Sequence, residues 1–122
     1  LLTSVSDFLR DDVMAHTQGR LQFLARVAAN SLDIVKREQA LGAPCLVNEE
    51  KRLRELFSER EDSALALDEL RWRLVYALRD GSMVLDSELL HAHLRATVVN
   101  QIAIDQPRYA GFKTATSEAN TT

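Results

Sequence analysis

Residues 19–38 read GRLQFLARVAANSLDIVKRE, a run without proline whose apolar side chains recur at three- and four-residue spacing. Wound at about 100° per residue, it carries Phe23, Leu24, Val27, Ala28, Ile34 and Val35 on one face. Gln22, Ala25, Ala29, Asp33 and Lys36 fall on the other. The first face is expected to pack, and polar residues interrupt it: Arg20 and Glu38 on its midline at the two ends, Ser31 near its middle, Asn30 at its border. A buried amide or hydroxyl without a partner costs about 1–3 kcal/mol, and a charge costs more, so these groups need partners from elsewhere in the chain.

Upstream, Leu2, Val5, Phe8, Leu9 and Val13 mark an amphipathic first helix. It is expected to begin before residue 1, because the chain opens on Leu1-Leu2 rather than Met. Gly19 can take the left-handed conformation that reverses the chain, so the first two helices should form an antiparallel hairpin. The second helix should run to about Leu41, roughly 33 Å, and stop at Gly42-Ala43-Pro44. Cys45 then falls in a connection and, with nothing basic adjoining it in sequence, reads as a small loop residue rather than a reactive thiol.

Asn48 can cap a third helix with Glu49 and Glu50 in its first turn and Leu53, Leu56 and Phe57 on its buried side. Its other face, Lys51, Arg52, Arg54, Glu55, Glu59 and Arg60, reads as a solvated surface with internal ion pairs or as an electrostatic docking surface. After the polar break Glu61-Asp62-Ser63, a fourth helix is expected over 65–80, ended by Gly81. Leu67, Leu70, Leu74, Ala77 and Leu78 form its core stripe, and Leu65, Trp72, Val75 and Tyr76 a second stripe directly opposite. The second stripe is either another internal contact or an interface, since Trp and Tyr are favoured anchors. Asp86 or Ser87 caps a fifth helix that continues to about Asp105, with the ridge Leu90, Leu94, Val98 and Ile102 beside the polar line Thr97, Gln101 and Asp105. Residues 1–109 therefore read as one all-α bundle of about five mostly antiparallel helices, and 110–122 as a polar C-terminal tail that something must hold.

With 122 residues, one hydrophobic core is expected. The net charge of −3, with both signs interspersed, does not suggest nucleic acid. The single cysteine, and the lack of an apolar run of about 18 residues or of a signal sequence, suggest a cytoplasmic protein with no membrane partner.

Chemical motifs are scarce. His91 and His93 diverge by about 200° on a helix and His16 stands alone, so no metal site is expected. Phosphate-cradling glycine loops and a nucleophile elbow are missing, so no cofactor is expected and catalysis is not the favoured reading. A hydrolase or isomerase using Asp105 with a histidine would need a strongly perturbed carboxylate in a cleft. What remains is the polar set Arg20, Arg26, Asn30 and Glu38 with Thr97, Gln101, Asp105 and Arg108. It reads as a network that fixes helix register, or as a pocket whose arginines clamp a carboxylate or phosphate.

The 19–38 segment, with HLRATVVNQIAIDQPRY at 93–109, resembles a bacterial family of small all-helical domains of unknown function. Its members are short proteins or C-terminal appendages beside aminoglycoside-phosphotransferase-like kinases and acyl-CoA dehydrogenases. The family pattern has Asn before the proline where this chain has Gln106. No catalytic residues carry over, so the resemblance implies only a context of kinase chemistry or acyl-CoA metabolism. The function expected is a non-catalytic accessory or interaction module that pairs with itself or a protein partner through Leu65, Trp72, Val75 and Tyr76. The alternative is a domain that binds an anionic metabolite, an acyl-CoA or organic phosphate, through Arg20, Arg26 and Arg108.

Overall fold

A computed structural model describes residues 1–59 and 64–119. Arg60 and the expected polar break at 61–63 lie outside the described residues, as does 120–122. Five α-helices, and no strands, occur among the described residues: α1 (Leu2–Asp7), α2 (Gly19–Leu56), α3 (Leu67–Asp80), α4 (Glu88–Asp105) and α5 (Ala110–Ala119). The all-α bundle is as expected, but the chain is divided differently.

α1 runs directly into a π-helical segment, Phe8–Val13, and Gly19 then turns the chain with φ +63°. The expected stop at Pro44 does not occur, and the second and third helices are one 38-residue rod, about 57 Å long. A proline inside a helix leaves the carbonyl four residues back without its donor. Here that carbonyl belongs to Ala40, and both Ala40 and Pro44 lie on the exposed side, where water can replace the lost bond. Cys45 is therefore a half-buried residue of α2 rather than a loop residue, and Asn48 lies mid-helix, not at a cap.

The packing face of the first half of α2 is also the reverse of the expected one. Ala25 and Ala29 are buried, while Phe23, Leu24, Val27 and Val35 are exposed. The small alanines let α1 and the π-helical segment approach closely, and Arg10 locks the contact. Its Nη2 donates to Asp33 Oδ2 at 2.6 Å and to Asn30 Oδ1 at 3.2 Å, and buried Ser6 also donates to Asp33. The Arg10 guanidinium holds the Asp33 carboxyl below its ordinary range.

The second half of α2 packs against α3, and antiparallel to α4, around Leu53, Leu70, Leu74 and Leu90, flanked by Leu56, Phe57 and Met83. The face expected to be solvated is partly internal. Arg54 is buried, and its Nη2 donates to Glu50 Oε1 at 2.6 Å and to the Leu65 carbonyl at 2.8 Å. Gly81, φ +77°, closes α3, and the Ser87 hydroxyl accepts the Leu90 N–H at the start of α4. On α4 the expected ridge divides: Leu90 enters the core, while Leu94, Val98 and Ile102 line a cleft with Phe112 of α5. The segment expected as a polar tail is thus helical as far as Ala119.

α2 ends in a Schellman turn, in which Glu59 N–H reaches the Arg54 carbonyl at 2.8 Å and Ser58 N–H the Glu55 carbonyl at 3.1 Å. Ser58 sits there at φ +52°, the one described non-glycine residue in the left-handed region. Relief of that strain outweighs the extra entropy of an unfolded glycine, so Ser58→Gly should stabilise by about 0.5–1 kcal/mol. An unchanged or lower denaturation midpoint would contradict this account of the turn.

Candidate functional site

Three regions carry the polar and aromatic residues of interest. The first lies between α2 and the turn after α4, where a pocket of about 210 Å³ is lined by Asn30, Asp33, Arg37, Asp105, Gln106 and Arg108 among others. Arg37 closes one side, its Nε donating to the Ile104 carbonyl at 2.5 Å. Asp105 is exposed and accepts from Gln101 Nε2 at 2.8 Å. The nearest histidine along α4, His93, is twelve residues away, about 18 Å of helix, so α4 does not pair Asp105 with a histidine.

The second region is the α2–α4 contact, where polar side chains meet. His93, Thr97 and Asn100 recur at helical spacing on the side of α4 that faces α2, between Leu90 and Ile104. His93 is only 4% exposed. Against this layer α2 presents Glu49 and Arg52, and α3 presents Arg71. Arg71 grips Glu49 in bidentate fashion, Nε to Oε1 at 2.8 Å and Nη2 to Oε2 at 2.7 Å, and also reaches Asp68 at 3.0 Å. These bonds hold the Glu49 carboxyl below its ordinary range and push Arg71 above its own. Arg52 makes only a long contact, Nη2 to Thr97 Oγ1 at 3.5 Å, while the Thr97 hydroxyl donates to the His93 carbonyl. Arg52 Nε and His93 Nδ1 are buried without a hydrogen-bond partner among the described residues. Burial, with the positive charge of Arg52 nearby, pushes His93 below the ordinary histidine range, opposed by Glu49. A cleft of about 320 Å³ opens beside this layer, lined by Glu38, Cys45, Arg52, Thr97, Asn100 and Gln101 among others.

The third region is an open groove of about 930 Å³ between α3, the end of α2 and the link before α4. Leu56, Phe57, Leu65, Met83 and Val84 supply apolar lining, and Trp72 and Tyr76 stand on α3 with ring centroids 5.9 Å apart. Trp72 is 56% and Tyr76 60% exposed, whereas Leu65 and Val75 are half-buried. Arg73 lies over the Phe57 ring, 4.5 Å from its centroid, and also pairs with Glu59.

The polar residues expected to form one network are therefore dispersed. Asn30, Asp105 and Arg108 line the turn pocket, Glu38 and Thr97 the second cleft, and Arg20 and Arg26 are exposed with no hydrogen bond or ion pair among the described residues. The residues that do the internal pairing, Arg10, Asp33, Arg37, Glu49 and Arg71, lie outside the expected set, as does buried His93. The spacing of His93, Thr97 and Asn100 was a usable signal, but a helix ending at Pro44 hid their counterparts on α2.

Among the described residues no group of three or more His, Cys, Asp or Glu side chains is placed to hold a metal ion, and no helix is long and apolar enough to cross a membrane. These features define a small all-α domain built on one long helix, with an internal polar layer and an open aromatic groove. The chain belongs to the family described as Domain of unknown function (DUF6285), which matches residues 15–109, from just before α2 to the end of the turn after α4. No curated protein and no solved structure matches it.

Two outcomes test the polar layer. The Glu49 side chain is 13% exposed, so Arg71→Met strands a largely buried charge and should cost about 2–3 kcal/mol. Adding Glu49→Met should recover most of that loss in denaturation curves, and equal losses in the single and double variants would remove the pair. The pH profile should fall in two steps on acidification. Unfolded His93 takes a proton as pH drops through about 6.5 while the folded residue resists it, so stability declines there. The stability from Glu49 and Asp33 is present above their unfolded values of 4.5 and 3.8 and is lost below them. His93→Gln should abolish the upper step alone, as measured by thermal melts across pH.

Proposed function

We propose that this domain is a non-catalytic accessory module that docks an apolar helical element of a protein in the groove beside α3. One observation carries the reading. Trp72 and Tyr76, the kind of side chain that anchors interfaces, stand more than half exposed on an apolar groove instead of turning into a core. The extent of exposed surface points the same way. The chain exposes 8917 Å², where a compact monomer of its 13.7 kDa exposes about 6600 Å². An aminoglycoside-phosphotransferase-like kinase, an acyl-CoA dehydrogenase or another copy of the domain would suit the context that the family resemblance implies, in the cytoplasm of a bacterium.

Trp72→Asp combined with Tyr76→Ser should change the oligomeric state or the proteins that co-purify, read by size-exclusion light scattering. A variant that keeps both unchanged would remove the groove as the docking surface.

A second reading, an anionic metabolite such as an acyl-CoA or organic phosphate, draws on one specific feature. Arg52 borders the α2–α4 cleft with a buried Nε that meets no acceptor among the described residues. A carboxylate or phosphate oxygen would satisfy it. Thermal-shift screening against acyl-CoAs, nucleotides and sugar phosphates separates the readings, since a ligand at 100 times its Kd should add about 2.7 kcal/mol. A flat response across the panel favours the docking module.

A further inference from the structure

We infer that the occupant of the groove is the first half of α2 from a second copy of this chain; this rests on the docking role proposed above. Among the exposed apolar surfaces of the described residues, two each have what the other needs. The first is a stripe on α2. α3 and most of α4 cover the second half of the rod, the end of α4 and the turn after it reach Arg37 and Asn30, and α1 covers the alanine side of the first half. Leu21, Phe23, Leu24 and Val27 are left 57%, 61%, 47% and 44% exposed. Arg20 stands at the head of this stripe and Arg26 along its edge, both exposed and without hydrogen bond or ion pair among the described residues.

The second surface is the groove. Its rim carries the carboxylates of Glu69, which accepts the Ala66 N–H, and of Asp80, which accepts from the backbone N–H and the side chain of Ser82; neither meets a cation among the described residues. An apolar stripe with two unpaired guanidinium groups thus matches an apolar groove with two unpaired carboxylates. Such complementarity gives an interface its register and suppresses wrong partners.

The available area fits as well. The surface beyond that of a compact monomer is roughly 2300 Å² per chain, more than the roughly 800 Å² per partner that a standard interface buries. In a two-fold pair the contact forms twice, each α2 stripe in the other copy's groove. The two surfaces lie toward opposite ends of α2, so the pair would run antiparallel.

The lone tryptophan, Trp72, makes the contact measurable. Light scattering should give a mass near twice that of the chain at high concentration and near the monomer on dilution, with Trp72 emission moving to the red in step. Arg20→Glu with Arg26→Glu should weaken pairing at least tenfold, and so should Glu69→Arg with Asp80→Arg. Mixing these two variants restores opposite charges at both contacts and should recover pairing, which also demonstrates that both are folded. A monomer at every concentration would overturn the inference while leaving the groove open to a different protein. So would a mixture that stays monomeric although both variants melt cooperatively. A dimer whose Trp72 emission ignores dilution would place the contact elsewhere and count against the groove itself.

Discussion

The continuity of α2 through Pro44 is the constraint on which the rest of the structure depends. A proline in a helix interior removes one hydrogen bond and crowds the preceding turn. The rod survives because the affected carbonyl and the ring both face solvent, so the lost bond exposes Ala40 to water rather than burying an orphan acceptor. Continuity has a geometric consequence. At about 57 Å the helix is far longer than the diameter of a compact domain of this size. No arrangement of the shorter helices can cover it, and the chain packs as two zones on one spine.

The zones differ in chemistry. Around Leu53 the contact is a leucine cluster, where hydrophobic burial dominates. Around Ala25 and Ala29 the buried side chains are small, and area alone discriminates weakly between registers. There the Arg10, Asn30, Asp33 and Ser6 bonds fix the position of the first hairpin. The Glu49–Arg71 pair does the same between α2 and α3, since a shift along the helix would leave Glu49 without its guanidinium, and between α2 and α4 Arg37 holds the Ile104 carbonyl. Such ion pairs add little net stability against an apolar replacement, but breaking one is costly, and that asymmetry holds the helices in one alignment.

How much of this was legible in the sequence follows from the same physics. The starts and ends of α3 and α4 could be read closely, because Gly81, Ser87 and Pro107 act locally through backbone conformation and capping. The turn at Gly19 was legible for the same reason. Pro44 misled because its effect depends on which way the ring faces, a tertiary fact. The face of α2 was read backwards because hydrophobic periodicity ranks large side chains as core, whereas close helix approach selected the alanines. Arg20, Arg26 and Thr97 stood out as polar groups on apolar faces, yet only Thr97 meets a partner within the chain, because pairing across helices depends on register that spacing alone does not encode.

That inversion bears on what the domain is for. Ala25 and Ala29 already meet the packing needs of the first half of α2, so folding alone does not require Phe23, Leu24 and Val27 to be large and apolar. Left in water, they expose apolar area along a rod with little to cover it, area that burial against another surface would stabilise. The family match reinforces the point. It spans α2 to the turn after α4 and leaves out α1, the helix that covers the alanine side. The matched segment holds the long helix, α3, α4 and the turn after it, so the exposed stripe on the first half of α2 lies inside the part of the chain by which the family is recognised.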